Sequence, residues 1–242
     1  NGIFAPVFYV CHYLLGFIVY MVMLVNLAGL FMFLAGLLRL LPAPLSCRAG
    51  VAAGAIPLLL SAALSVYGAV HGAVIQIKPY EIQIGGQTQE KAPLRIALIS
   101  DLHLGYVIGE HHLEKVINAV NSTKPDLVCI AGDIFDGPNP SAESQRLYYS
   151  FLRRVTAECP ALQIIIIAGN HDSAARLEAP NPLLEEMNIT VRGVVKRDAD
   201  GDIDLAHLII PIYKPGAGRS QADININDIA AFCLAVPYLR QG

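Results

Sequence analysis

With 242 residues, 54% of them hydrophobic, and a mean hydropathy of +0.49, the chain is more apolar than an ordinary soluble domain. A formal net charge of −3 excludes the broad basic field with which a protein binds nucleic acid by charge alone. The charge is also uneven: the first 77 residues contain no acid and only Arg39 and Arg48, so all 20 acids and 15 of the 17 basic residues lie beyond Ile77.

Residues 13–41 and 51–75 are two apolar runs, each above the roughly 20 residues that cross a bilayer, and they predict two transmembrane helices within a membrane segment spanning 1–77. Pro42 and Pro44 break the helix between them, so 41–48 reads as a tight connector. A cleaved signal peptide would show one apolar core of about 7–15 residues instead. Arg39 and Arg48 on one flank are balanced by Lys78, Lys91 and Arg95 on the other, which leaves the orientation open. His12 and His71 read as packing or interface residues of this segment. The chain starts at Asn1 without methionine and stops at Gly242 just after a strand-like stretch, the expectation being a fragment at both ends.

Residues 78–92 read as a linker and entry strand, with Glu81-Ile82-Gln83-Ile84 alternating polar and apolar. From 93 to 242 short apolar runs alternate with amphipathic stretches, the pattern of an α/β domain. Leu94–Ser100 predicts a buried strand, and Gly109–Lys124 predicts a helix on the spacing of Leu113, Val116, Ile117 and Val120. His111 and His112 read as solvated at its start. Asp126–Ala131 predicts the next strand, and a second helix runs from the N-cap Ser141, with Glu143 in its first turn, to Cys159-Pro160. Ile164–Ile167 predict a central strand buried on both faces. Helix interrupted at Pro180 and Pro182 follows over 173–188, then strands at Ile189–Val194, Leu208–Tyr213 and Phe232–Val236, with a turn at Asp200-Gly201 and His207 as a core histidine. Five cysteines without a C-x-x-C pair suggest neither a disulfide framework nor a zinc knuckle and read as small buried hydrophobes.

Three of these strands each end in a loop bearing metal-ligand atoms: Asp101 and His103 after the first, Asp133 after the second, Asn170 and His171 after the third. Loops at the carboxyl ends of strands in an open α/β sheet can converge on one point. Imidazole nitrogen mixed with carboxylate oxygen suits two divalent transition metals better than magnesium or calcium. Asp101 and His103 can face one ion, Asp133 can lend an oxygen to each of two, and the amide oxygen of Asn170 adds a ligand without charge. Ions about 3.5–4 Å apart activate water and neutralise an in-line phosphoryl transition state. His171 is then the proton donor to the leaving oxygen, and Asp172 can hold its imidazole in orientation. Asp136 reads as an outer or loop-capping acid.

The blocks Asp101-Leu102-His103, Gly132-Asp133-Ile134-Phe135-Asp136 and Gly169-Asn170-His171-Asp172 resemble the D-x-H, G-D-x-x-D and G-N-H-[DE] motifs of the calcineurin-like metallophosphoesterase superfamily. The resemblance implies a calcineurin-like phosphoesterase sandwich at 93–242 behind the α-helical membrane segment. It makes Asp101, His103, Asp133 and Asn170 metal ligands, His171 the acid, and manganese the expected pair of ions, with iron and zinc as alternatives. Up to about Gly137 the chain is similar to YkuE-type membrane-associated phosphoesterases. Beyond Gly132, in Gly169–Glu178, Val191–Val194 and Ala235–Arg240, it is similar to the SbcD subunit of the SbcCD nuclease. The two likenesses meet at the shared G-D-x-x-D motif, as in a natural fusion or an assembly artefact. The superfamily's later histidine motifs match nothing after His171, so the resemblance implies a site completed beyond Gly242 and a domain truncated at its C-terminus.

The leading expectation is a membrane-associated, multi-pass phosphoesterase acting on phosphomonoesters or phosphodiesters. The alternative is a cytoplasmic DNA nuclease subunit with DNA and an SbcC-like ATPase as partners, for which Arg146, Arg153 and Arg154 offer a small basic stripe on one helix face. A third reading is a catalytically silent membrane protein with an unfinished site.

Overall fold

A computed structural model describes residues 5–40, 46–83, 93–105, 108–214 and 226–239, and the chain divides into two compact units, 1–76 and 77–242.

The first unit is a pair of helices, α1 (Ala5–Leu37) and α2 (Cys47–Gly72), packed against each other. Both start and end a few residues before the expected runs, and the proline connector falls largely on 41–45, outside the described residues. Ala35, Pro57 and Ser61 are buried, whereas large apolar side chains such as Leu15, Phe31 and Leu59 face outward. Helices apolar on every side fit a lipid solvent, and both are long and apolar enough to cross a bilayer. Pro57 sits inside α2, where the Ser61 hydroxyl donates to its carbonyl at 2.6 Å.

The second unit is a mixed α/β sandwich. Strands β1 (Ile96–Ser100), β2 (Leu127–Ala131), β3 (Gln163–Ile167) and β4 (Ile189–Arg192) form one parallel sheet in that spatial order. Helices α3 (Glu110–Thr123) and α4 (Ala142–Glu158) make the first two crossovers and pack on each other. Right-handed crossovers in one direction across a sheet put both helices on the same face. Their buried stripes, Leu113, Val116, Ile117 and Val120 on α3 and Leu147, Tyr148, Phe151, Leu152 and Val155 on α4, follow helical spacing. The Ser141 side chain accepts the N–H of Ser144 at 3.0 Å and caps α4 as expected.

The other sheet face is covered by a second, antiparallel sheet of β5 (Ile209–Tyr213) and β6 (Ile229–Leu234). Ile210, Ile212 and Ala235 meet Leu127 and Ile165 in a shared core, with Cys129 and Cys233 alongside. Gln163, buried, fastens the layers: its amide nitrogen donates to the Pro211 carbonyl at 2.8 Å and its oxygen accepts the Tyr213 N–H at 3.4 Å. Both ends of that amide are used because neither meets water.

Several expectations change. The strand β1 is an edge rather than a buried strand, with Ile96 and Leu98 54% and 71% exposed, because β2 is its one partner among the described strands. Residues 81–83 of the expected entry strand carry no regular structure, and Ile84 lies outside the described residues. The segment 173–188 holds two short helices, α5 (Ala174–Glu178) and α6 (Asn181–Glu185). His207 belongs to a one-turn helix, α7 (Leu205–Leu208), started by the Asp204 carboxylate accepting the His207 N–H at 3.1 Å, rather than to a strand. Cys11, Cys47 and Cys159 are exposed rather than buried, and all five cysteines are free. The basic stripe is partly neutralised: across the α3–α4 contact Arg146 pairs with Glu110 and Arg154 with Glu114, and within α4 Arg146 also pairs with Glu143.

Candidate metal centre

The parallel register aligns Ser100 with Ala131 and Ile130 with Ile166, so β1, β2 and β3 end at one sheet edge and release their loops side by side. The first loop continues the ladder: the N–H groups of Asp101, His103 and Leu104 donate to the carbonyls of Ala131, Asp133 and Ile134 at 3.0, 3.0 and 2.8 Å. Leu102 and Leu104 are buried, 6% and 1% exposed, and anchor the loop while the alternate residues Asp101 and His103 are left for the site. Both take left-handed backbone conformations, φ 52° and 44°, which costs an L-residue roughly 1–2 kcal/mol. Asp and His accept this region better than most residues.

The second loop places Asp133 almost fully buried. Asp133 N–H donates to Asp101 Oδ1 at 3.2 Å, and Asp133 Oδ2 lies 3.8 Å from His103 Nε2. One ligand atom from each of Asp101, His103 and Asp133 falls within 4.8 Å of the others, a spacing suited to one cation. Two glycines make this possible. Gly132 has φ +83°, and a Cβ there would strike Asp101 Oδ1. A Cβ on Gly169 would strike Asp133 Oδ1 and lie 2.6 Å from the Asp133 nitrogen. Glycine precedes Asp133 and Asn170 because a carboxylate occupies the space where its side chain would stand.

The third loop carries Asn170 and His171, both exposed, with the His171 N–H donating to Asp133 Oδ1 at 2.8 Å. The His171 ring meets that of His103 edge-on, centroids 5.7 Å apart. Its Nδ1 is 3.0 Å from the Asp136 carbonyl, and His103 Nδ1 is 3.6 Å from the Asp136 carboxylate. That carbonyl, with the negative charge of Asp133 behind it, holds the His171 pKa above its usual value.

Asp172, expected to hold the His171 imidazole in orientation, accepts hydrogen bonds from main-chain amides of two loops. Its carboxylate is fully buried and accepts the N–H groups of Ile134 at 2.9 Å, Phe135 at 3.0 Å and Gly169 at 3.0 Å. It ties the second loop to the third, and the oxygen facing the imidazole belongs to Asp136. No sequence signal marks that oxygen, since every residue has a carbonyl; only the fold of Ile134–Asp136 aims it. Beneath the turn, buried Phe135 packs edge-on against Tyr148 at 5.5 Å.

The chain is 36% identical over 156 residues to the SbcD subunit of the SbcCD nuclease of Rhodobacter capsulatus, covering 61% of this chain and 36% of that protein. It is 31% identical to the Transmembrane protein with metallophosphoesterase domain of Danio rerio, covering 66% and 38%. An uncharacterized metallophosphoesterase of Campylobacter jejuni is 26% identical over 70% of this chain and 45% of its own length. The chain thus spans less than half the length of each of these relatives. A family model described as calcineurin-like phosphoesterase matches residues 94–228, the region that supplies every loop of this centre, and the chain belongs to that family.

Proposed function

We propose that the chain is a membrane-associated, divalent-metal-dependent phosphoesterase that hydrolyses phosphomonoester or phosphodiester bonds. The observation that carries this reading is the convergence of Asp101, His103 and Asp133 ligand atoms within 4.8 Å beside the imidazole of His171. The donor set, two carboxylates and an imidazole with the amide of Asn170 next in the third loop, fits a borderline divalent ion, manganese first and iron or zinc as alternatives. A bound pair of ions would supply Lewis-acid neutralisation of the phosphoryl group and activation of water.

The chain's own residues do the rest. Asp101 and His103 would hold one ion of such a pair, and Asp133 would be the carboxylate offered to both. Asn170 would contribute a neutral oxygen, limiting the negative charge that an anionic substrate must approach. The Asp136 carbonyl takes the Nδ1–H of His171, which fixes the ring and leaves Nε2–H to donate to the departing oxygen. Asp172 keeps the loops carrying Asp133 and His171 at a constant separation. The apolar pair α1 and α2, together with the transmembrane relative, supports membrane association.

The test is hydrolysis of bis-p-nitrophenyl phosphate by the detergent-purified chain. Turnover should need manganese and disappear on chelation; a manganese-loaded chain without turnover would sink the reading. The similarity to the SbcD subunits of SbcCD nucleases favours a second reading, a DNA-cleaving protein with an ATPase partner of the SbcC kind. Release of nucleotides from duplex DNA ends by the same preparation would support it.

A further inference from the structure

The three loops that build the centre, 101–105, 132–141 and 169–177, contain one lysine or arginine, Arg176. Asp101, Asp133, Asp136 and Asp172 make the same loops strongly acidic, so Arg176 is their single fixed positive charge. It is exposed in α5, five residues after His171, and its Nη2 donates to Asn139 Oδ1 at 3.3 Å. Asn139 lies three residues after Asp136. The Arg176–Asn139 contact therefore bridges the same two loops as the His171–Asp136 contact, placing the guanidinium on the His171 flank of the centre. Among the described residues Arg176 forms no ion pair, unlike Arg146 and Arg154, whose charges are spent on glutamates. A neutral amide partner positions the fork of N–H donors without cancelling its charge, as a site for a transient anion requires.

Resting on the phosphoesterase reading, we propose that Arg176 is a specificity residue that binds a second phosphate carried by the leaving group. The flank follows from His171: the side chain that protonates the departing oxygen marks the side on which the leaving group sits. The preferred substrate class is accordingly a phosphodiester with another phosphate one unit beyond the scissile bond, as in an oligonucleotide, rather than a simple alkyl or aryl ester.

The test compares a thymidine dinucleotide with the same dinucleotide bearing a terminal phosphate at its 5′ or 3′ end, using the full chain in detergent with manganese. One terminal phosphate should raise kcat/KM about tenfold, the scale of one charge-assisted contact. Arg176→Gln should abolish that advantage and Arg176→Lys should keep part of it. An undiminished advantage in Arg176→Gln overturns the proposal, as does an equal loss on all three dinucleotides, which marks a structural role. Hydrolysis of bis-p-nitrophenyl phosphate but of none of the dinucleotides also overturns the proposal, whereas hydrolysis of neither means that the phosphoesterase reading has failed. Equilibrium binding of fluorescein-labelled forms then tests Arg176 by itself, with the same tenfold preference expected in wild type and its persistence in Arg176→Gln overturning the proposal.

Discussion

The buried carboxylate of Asp172 accepts the main-chain N–H of Ile134 at 2.9 Å, joining two loops 38 residues apart in the chain. With Phe135 and Gly169 also donating, it satisfies three amides that have no water to turn to. Asp172→Asn exchanges one acceptor oxygen for an NH2 group and leaves at least one buried donor unpaired, a loss of about 1–3 kcal/mol. The thermal midpoint of the catalytic unit should fall by roughly 3–10 °C. An unchanged midpoint would remove Asp172 from this role.

Asp133→Asn keeps the shape of the side chain and deletes the charge that two ions would share. Bound metal, measured by plasma mass spectrometry, and phosphodiester turnover should both collapse while the circular dichroism of the chain stays unaltered. Retained turnover in the variant refutes the assignment of Asp133 as the shared ligand.

Gly169→Ala forces a methyl group against the Asp133 carboxylate and backbone, whereas Gly137→Ala enters open space. The first should destabilise by about 1–3 kcal/mol and release metal, and the second should do neither. Equal behaviour of the two variants in metal content and melting would contradict the packing between Gly169 and Asp133.

His171→Gln removes the proposed proton donor while Asp101, His103 and Asp133 stay in place. Turnover of an ester with a poor, alkyl leaving group should drop about 10²–10⁴-fold. An ester of p-nitrophenol, whose anion departs unaided, should suffer much less. A loss of the same size on both esters would assign His171 to metal binding or structure instead.

His207 is held below its ordinary pKa by burial first, with Arg192 and Lys196 adding to the effect, and its Nδ1 is buried without a partner. The fold therefore favours the neutral ring. A base with a depressed folded pKa contributes stability that is complete above the unfolded value near 6.5 and is lost as pH falls through it. The melting midpoint should fall as the pH is lowered from about 7.5 to about 5.5, and His207→Gln should show a shallower fall. Parallel curves for the two proteins would mean that the ring titrates alike in the folded and unfolded chain and would overturn this assignment.

The sequence by itself determined the two apolar helices, the α/β succession, and the family motifs at Asp101, Asp133 and Asn170, because hydrophobic periodicity and motif spacing are local properties. The isoleucine run announced β3 as a strand buried on both faces, and its burial follows that pattern. Tertiary structure decided what no local pattern contains. It made β1 an edge strand by giving it one described neighbour, and it paired Arg146 and Arg154 with acids on a helix packed against their own. It also turned Asp172 inward to three amides and brought the Asp136 carbonyl within 3.0 Å of His171 Nδ1. Each of these depends on which groups from distant parts of the chain arrive within about 3–4 Å of each other, where hydrogen bonds and desolvation act, and sequence spacing alone does not encode that distance.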